Sequence, residues 1–330
     1  MIRSEETIAI ERRTRHLIAE TFQPFAKGLA QPTPDVIRAG KAGGLAFDSL
    51  TTDVCVGCLP ASQVCYGSCF AARESFRLGV DFGIRVENTL DEDCFRADLD
   101  RLPVRQRYLR NGWHSDPSWR WMLAARVAEV IHDSGRLTCF VTKSFTTMTP
   151  DVAKRLVDVD AEVRVSVSAL DTDAQLRHRL ASIVAYQNAG GRAIPVLVST
   201  HFRDPLLNAK QDEIVRFILD HDIPGAENSL RFDPTAPIAQ LFDVTLSRRE
   251  GDTADYWCGR LYPHELPVPT ITSVPDDYWG VQNRFRSRND PDFFETLFDD
   301  PVPTQDEVLS NRPLRRPKQA AVSRPERVAT

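Results

Sequence analysis

Residues 136–199 read RLTCFVTKSFTTMTPDVAKRLVDVDAEVRVSVSALDTDAQLRHRLASIVAYQNAGGRAIPVLVS, and the fold is decided by their rhythm. Three short apolar runs, 136–141, 162–168 and 193–199, alternate with two longer segments of helical period. Thr149-Pro150 opens the first of these segments, with proline at the position that costs a helix nothing. The second covers 172–189 and stops at Gly190-Gly191. Glu162-Val-Arg-Val-Ser-Val-Ser168 alternates with period two, so its two faces meet different surroundings. Strands separated by helices in this way predict βα units and a parallel sheet.

The same rhythm extends outward in both directions. Upstream, Gly44-Leu-Ala-Phe47 and Arg107-Tyr-Leu-Arg110 predict strands, and 118–133 an amphipathic helix through Trp119, Met122, Leu123, Val127 and Ile131. Downstream come a helix over 209–220 and a strand over 228–232. Six units make an α/β protein built as a partial parallel (β/α)6-type TIM barrel over residues 44–240. Residues 1–43 form a helical lead-in that ends near Pro32-Thr-Pro34, and 241–305 a C-terminal extension without the alternation. Residues 306–330 read as a disordered tail, because they hold too little apolar surface to offset ordering.

Composition bounds the function. The chain has 330 residues, 42% hydrophobic and 26% charged, the mix of a soluble globular protein. No run approaches the roughly 20 apolar residues of a membrane span, and the N-terminus carries acids where a secretory signal would be apolar. The expectation is a cytoplasmic protein without membrane contact. A net charge of -5 argues against a broad basic face for nucleic acid. Only the tail is basic: 311–330 hold six Lys/Arg against one acid, after seven acids without Lys or Arg in 289–307. A nucleic-acid partner is therefore not supported by the whole-chain charge.

Four of the seven cysteines fall within fifteen residues, Cys55, Cys58, Cys65 and Cys69, spaced C-x2-C-x6-C-x3-C. Thiolates are soft ligands that select zinc, copper(I) or iron–sulfur clusters. Zinc knuckles usually stand a dozen or more residues apart, whereas this loop is compact enough to wrap a cluster. Both metals remain open on spacing alone. Position favours the cluster, since the loop follows the first strand and precedes a helix from Ala71, at the sheet end where (β/α) folds assemble their sites.

Further polar residues recur at the ends of the later strands. Gly112-Trp-His-Ser-Asp116-Pro117 follows the second, Thr142-Lys143-Ser144 the third, and Ser166-Val-Ser168-Ala-Leu-Asp171 the fourth, with Arg177 and Arg179 beyond it. Asp116 suits either the ammonium of a ligand or the cap of the following helix. In this order the motifs resemble the radical S-adenosylmethionine (SAM) family, nearest its spore photoproduct lyase-like branch, over residues 44–235. The resemblance implies a [4Fe–4S] cluster on three of Cys55, Cys58, Cys65 and Cys69. It also implies SAM held by Asp116, Lys143, Ser144, Ser166 and Ser168, and a small electron donor of flavodoxin or ferredoxin type. The implied chemistry is reductive cleavage of SAM to a 5′-deoxyadenosyl radical that takes hydrogen from a substrate. A zinc- or iron–sulfur-stabilised nucleic-acid or partner-binding protein is the alternative.

One departure separates this chain from the family pattern. The family's C-x3-C-x2-C string is absent: Cys65-x3-Cys69 reproduces the first gap, but Ala72 stands where the third cysteine belongs. Cys55 or Cys58 must then supply the remaining ligand. His114, His201 and Cys258 are lesser candidates, read as ordinary structural residues. There is no Walker motif, no G-x-S-x-G elbow and no H-E-x-x-H.

Overall fold

A computed structural model describes residues 5–23, 28–39, 51–58, 66, 69–102, 108–112, 114–249 and 255–266. The chain begins with helix α1 (Glu5–Phe22), followed by strands β1 (Thr51–Thr52) and β2 (Cys55–Val56) and helix α2 (Phe70–Arg77). Strand β3 (Val86–Glu87), helix α3 (Glu92–Asp100), strand β4 (Tyr108–Asn111) and helix α4 (Trp121–Asp133) come next. The regular part continues as β5 (Leu137–Thr142), α5 (Pro150–Asp158), β6 (Glu162–Val167), α6 (Asp173–Asn188), β7 (Arg192–Ser199), α7 (Pro205–Asp220) and β8 (Ala226–Ser229). Three two-residue strands close the described chain: β9 (Arg231–Phe232), β10 (Arg248–Arg249) and β11 (Tyr256–Trp257).

Six strands form one sheet in the order β1-β4-β5-β6-β7-β8, and every neighbouring pair is parallel. The sheet curls into a half-barrel, as the strand–helix alternation predicts for a partial TIM barrel. Helices α4 to α7 cover its outer face. Leu109, Phe140, Val163, Val165, Val167, Ala193 and Leu197 point outward into a core with Ala124, Val127 and Ile131 of α4, Leu156 of α5, Ile183 of α6 and Ile214 of α7.

The period-two pattern of β6 now has a cause. Val163, Val165 and Val167 meet the helices, while Glu162, Arg164 and Ser166 take the concave face. Register aligns Arg110 with Cys139 and Cys139 with Glu162 on that face. Arg164 Nε donates to Glu162 Oε1 at 2.6 Å, and the Cys139 thiol donates to the same oxygen at 3.6 Å. Burial pushes the Cys139 thiol up to about 12, so it stays protonated. A parallel strand buried between two apolar layers would be hydrophobic throughout. This one alternates because its inner layer is polar.

A second apolar cluster roofs the carboxyl ends of the strands. Leu17, Ile18 and Phe22 of α1 meet Phe76, Leu170, Phe202, Phe232, Ile238 and Phe242 there. Thr21 Oγ1 accepts from the backbone of Ile238 at 3.1 Å, and Glu11 accepts from the N-terminus of α6 at Asp173, 2.8 Å. Residues 255–266 are pinned to the same end by the buried Glu227. Its carboxylate accepts from Ser199 Oγ at 2.5 Å, Leu261 N at 2.5 Å and Tyr262 N at 2.8 Å.

Two sequence expectations shift. The strand expected over 228–232 is two strands, β8 in the parallel sheet and β9 in the antiparallel one, whereas the strand expected over 44–47 lies outside the described residues. Helix α7 starts at Pro205 rather than 209, because Asp204 caps it by accepting from Leu206 N. The 306–330 tail and most of the 241–305 extension lie outside the described residues.

Candidate metal and cofactor site

The cysteine loop leaves the sheet at the end of β1 and is shaped before its sulfurs are placed. Strand β2 pairs antiparallel with β3, matching Cys55 to Glu87 and Val56 to Val86. Asp53 Oδ1 accepts from His114 N at 2.9 Å, tying the loop to the turn after β4. Gly57 then takes φ +77°, and a Cβ there would fall on the Ile84 carbonyl. Only glycine fits both conditions. Gly57→Ala is expected to cost about 2 kcal/mol or more, since the strained φ and the backbone clash add, and a lower thermal midpoint would show it.

The three described cysteines of the loop have different surroundings. Cys55 is 2% exposed; its sulfur lies 3.0 Å from Ser115 Oγ and 3.8 Å from the Asp116 carbonyl, to which the thiol donates. Burial pushes this thiol up to about 11. Cys58 is also buried, and its sulfur accepts the indole N–H of Trp119 at 3.4 Å. Cys69 caps α2, its sulfur accepting from Ala72 N at 3.5 Å. N–H groups aimed at sulfur suit a thiolate, whereas the Cys55 environment suits a thiol. Cys65 lies outside the described residues. Among the described residues no three His, Cys, Asp or Glu side chains come together to hold a metal. The four cysteines of the loop are soft donors of the kind iron–sulfur clusters take, and the two sulfurs of Cys58 and Cys69 each accept an N–H.

Asp116 joins the ends of β4 and β5. Its Oδ1 accepts from Ser118 N at 2.9 Å, Ser118 Oγ at 2.6 Å and Thr142 Oγ1 at 2.6 Å, while Oδ2 accepts from Lys143 N at 2.7 Å. It thus caps the 3₁₀ turn Pro117–Arg120 that leads into α4. Gly112, just before it, has φ +106° and lies against the Val141 carbonyl, where a Cβ has no room.

Lys143 and its neighbours form the other half of the site. The Lys143 ammonium lies 3.2 Å from the centroid of the Tyr66 ring and 3.8 Å from Asp171 Oδ1. Arg179 pairs with Asp171 and donates from Nε to the Lys143 carbonyl at 2.8 Å. Asp171 also accepts from Tyr66 Oη at 3.2 Å and Ser168 N at 3.0 Å. Ser168, just beyond β6, is buried, and its hydroxyl accepts from Leu170 N at 3.3 Å. Ser144 takes a left-handed φ of +48°, with its N–H on Thr142 Oγ1 at 2.8 Å. The structure therefore gathers Asp116, Lys143, Ser144 and Ser168 at adjacent strand ends. Ser166 sits lower, half-buried on the concave face.

Tyr66 and Trp119 escaped the sequence reading of the site, and Asp171 and Arg179 were named there without a role. Asp171 and Arg179 stand in a stretch that was singled out, but their pairing crosses a turn. Tyr66 adjoins Cys65, and Trp119 reads equally well as the apolar face of a helix. His114 N donates to Asp53, and the His201 carbonyl accepts from Asp243 N at 2.8 Å. Cys258 lies 3.4 Å from Ser229 Oγ at the end of β8.

No protein-family model matches the chain, and no curated protein matches it. Solved structures do. The chain is similar in structure to spore photoproduct lyase. A tyrosine-to-phenylalanine mutant of that enzyme is 14% identical with a TM-score of 0.47, over 79% of this chain and 78% of that chain. A cysteine-to-serine mutant is 15% identical with a TM-score of 0.46 over the same shares. A cysteine-to-alanine mutant is 15% identical with a TM-score of 0.41, over 64% of this chain and 68% of that chain.

Proposed function

We propose that this chain is an iron–sulfur enzyme of radical SAM type, acting on a substrate yet to be identified. One observation carries the reading. Sulfur, carboxylate, ammonium and hydroxyl groups from four strand ends, β1, β4, β5 and β6, lie at one end of a parallel half-barrel. A single ligand could meet them all there.

When bound, a [4Fe–4S] cluster and SAM supply the chemistry, an electron that splits SAM into methionine and a 5′-deoxyadenosyl radical able to take hydrogen from the substrate. The chain's part is to hold and orient. Three of Cys55, Cys58, Cys65 and Cys69 carry the iron, with Cys58 and Cys69 favoured by the N–H groups on their sulfurs. Asp116 Oδ2, with one backbone donor on it, has a lone pair left for an ammonium group. Lys143 is the cation for a carboxylate, its head steadied by Tyr66 and Asp171. Ser144, Ser166 and Ser168 are the hydroxyls for a ribose. Electrons come from a small flavodoxin- or ferredoxin-type donor, and the setting is the cytoplasm. No helix among the described residues is long and apolar enough to cross a membrane.

The test is direct. Anaerobically reconstituted protein, given dithionite and SAM, is expected to release 5′-deoxyadenosine. Colourless protein with one tightly held zinc would instead support a zinc-stabilised nucleic-acid or partner-binding protein. An intact cluster that neither binds nor cleaves SAM would leave a redox or structural iron–sulfur protein.

A further inference from the structure

The 3₁₀ turn Pro117–Arg120 places two side chains toward the site. Asp116 caps it and reaches the end of β5, and Trp119 reaches the cysteine loop. The Trp119 indole is unusually constrained for a half-buried side chain. Phe145 stacks on it with centroids 4.9 Å apart and planes 10° from parallel. The Arg85 guanidinium carbon lies 3.7 Å from its ring centroid. A parallel ring and a guanidinium cannot share one face, so each takes its own. The indole edge is thereby fixed, and its Nε1–H meets Cys58 Sγ at 3.4 Å. A cavity of about 120 Å³, lined by Cys55, Arg85, Val86, Glu87, Trp119 and Arg120, borders this contact.

We infer that Trp119 is a positioning residue that raises the reduction potential of a metal centre held by Cys58, through its N–H···S hydrogen bond. This rests on the iron–sulfur reading of the cysteine loop. Hydrogen bonds to ligand sulfurs, net charge and solvent exposure set the potential of such centres. Reduction adds negative charge that spreads onto the thiolates, so a donor on sulfur stabilises the reduced state more than the oxidised one. The nearby Arg85 cation acts in the same direction. Residue choice supports the assignment, because the stacking needs only an aromatic ring, whereas the N–H requires tryptophan.

Trp119→Phe separates the two roles, since it keeps a ring between Arg85 and Phe145 and deletes the donor. Wild-type and W119F proteins are reconstituted with iron and sulfide and titrated electrochemically. The expected result is equal iron content and a lower potential for the variant. At a fixed poise its reduced-to-oxidised ratio should fall about tenfold, or about 59 mV for a one-electron couple. Equal loading with an unchanged or raised potential overturns the inference, whereas failure of the wild type to load any cluster overturns the functional reading instead. If W119F does not fold, the wild-type protein labelled with indole ¹⁵N decides. Pulsed EPR of the reduced centre should show coupling to Nε1, and an absence of coupling counts against the hydrogen bond.

Discussion

Cys58→Ala and Cys69→Ala are each expected to bring bound iron and sulfide from about four per chain to background, without unfolding the half-barrel. Both sulfurs accept N–H groups, from Trp119 at 3.4 Å and from Ala72 at 3.5 Å. β4 to β8 pack on α4 to α7 through a cluster that includes neither cysteine, and Cys58 and Cys69 belong instead to the second apolar cluster at the strand ends. Cys55→Ala is expected to load almost normally. Its thiol donates to the Asp116 carbonyl at 3.8 Å in a buried setting. Iron and sulfide analysis of the purified variants, with far-ultraviolet circular dichroism as the check on folding, reads out each case. Loss of iron in Cys55→Ala with retention in Cys58→Ala would reverse the assignment between the two.

How far the sequence reveals all this depends on the range of the interactions involved. Strands β5, β6 and β7 are legible because their signal is local: an apolar run of six to eight residues, alternating in β6, then a cap and a proline or glycine. Strand β6 even discloses its two faces. Helix α3 is not legible, because Glu-Asp-Cys-Phe-Arg-Ala-Asp-Leu-Asp offers one turn of apolar spacing, and only Asp91, accepting from Cys94 N, marks its start. The β9–β10–β11 sheet joins two-residue strands from distant segments and has no local pattern. The site divides in the same way. The cysteine spacing and the polar strand ends are visible in one dimension. The Trp119–Cys58 contact spans 61 residues and the Tyr66–Asp171 contact 105, so neither can be read from spacing. Asp116 shows a further limit, since one carboxylate serves both as the cap of the turn and as the clip to β5.

Asp171→Asn is expected to destabilise the fold by roughly 3–5 kcal/mol at neutral pH, the range for removing one partner of a buried ion pair. Asp171 is 3% exposed, and its carboxylate faces Arg179, also 3% exposed, and Lys143 at 7%. An amide there would leave both cations without their buried counter-charge. Burial alone would raise this carboxyl, but Arg179 and Lys143 overcome burial and hold it below the ordinary carboxylate value. The sign follows from linkage. A folded-state pKa below the unfolded value of about 3.9 contributes stability above that pH, and the contribution is lost as pH falls through the folded value. The gap between wild type and Asp171→Asn should therefore be constant across neutral pH and shrink below about pH 4. Urea denaturation at several pH values measures it. Arg179 also donates to the Lys143 carbonyl, so the same variant should loosen Lys143 and weaken SAM binding in cluster-loaded protein. A gap that persists unchanged to pH 2 would show that packing and neutral hydrogen bonds, not the ion pair, account for the contribution of Asp171.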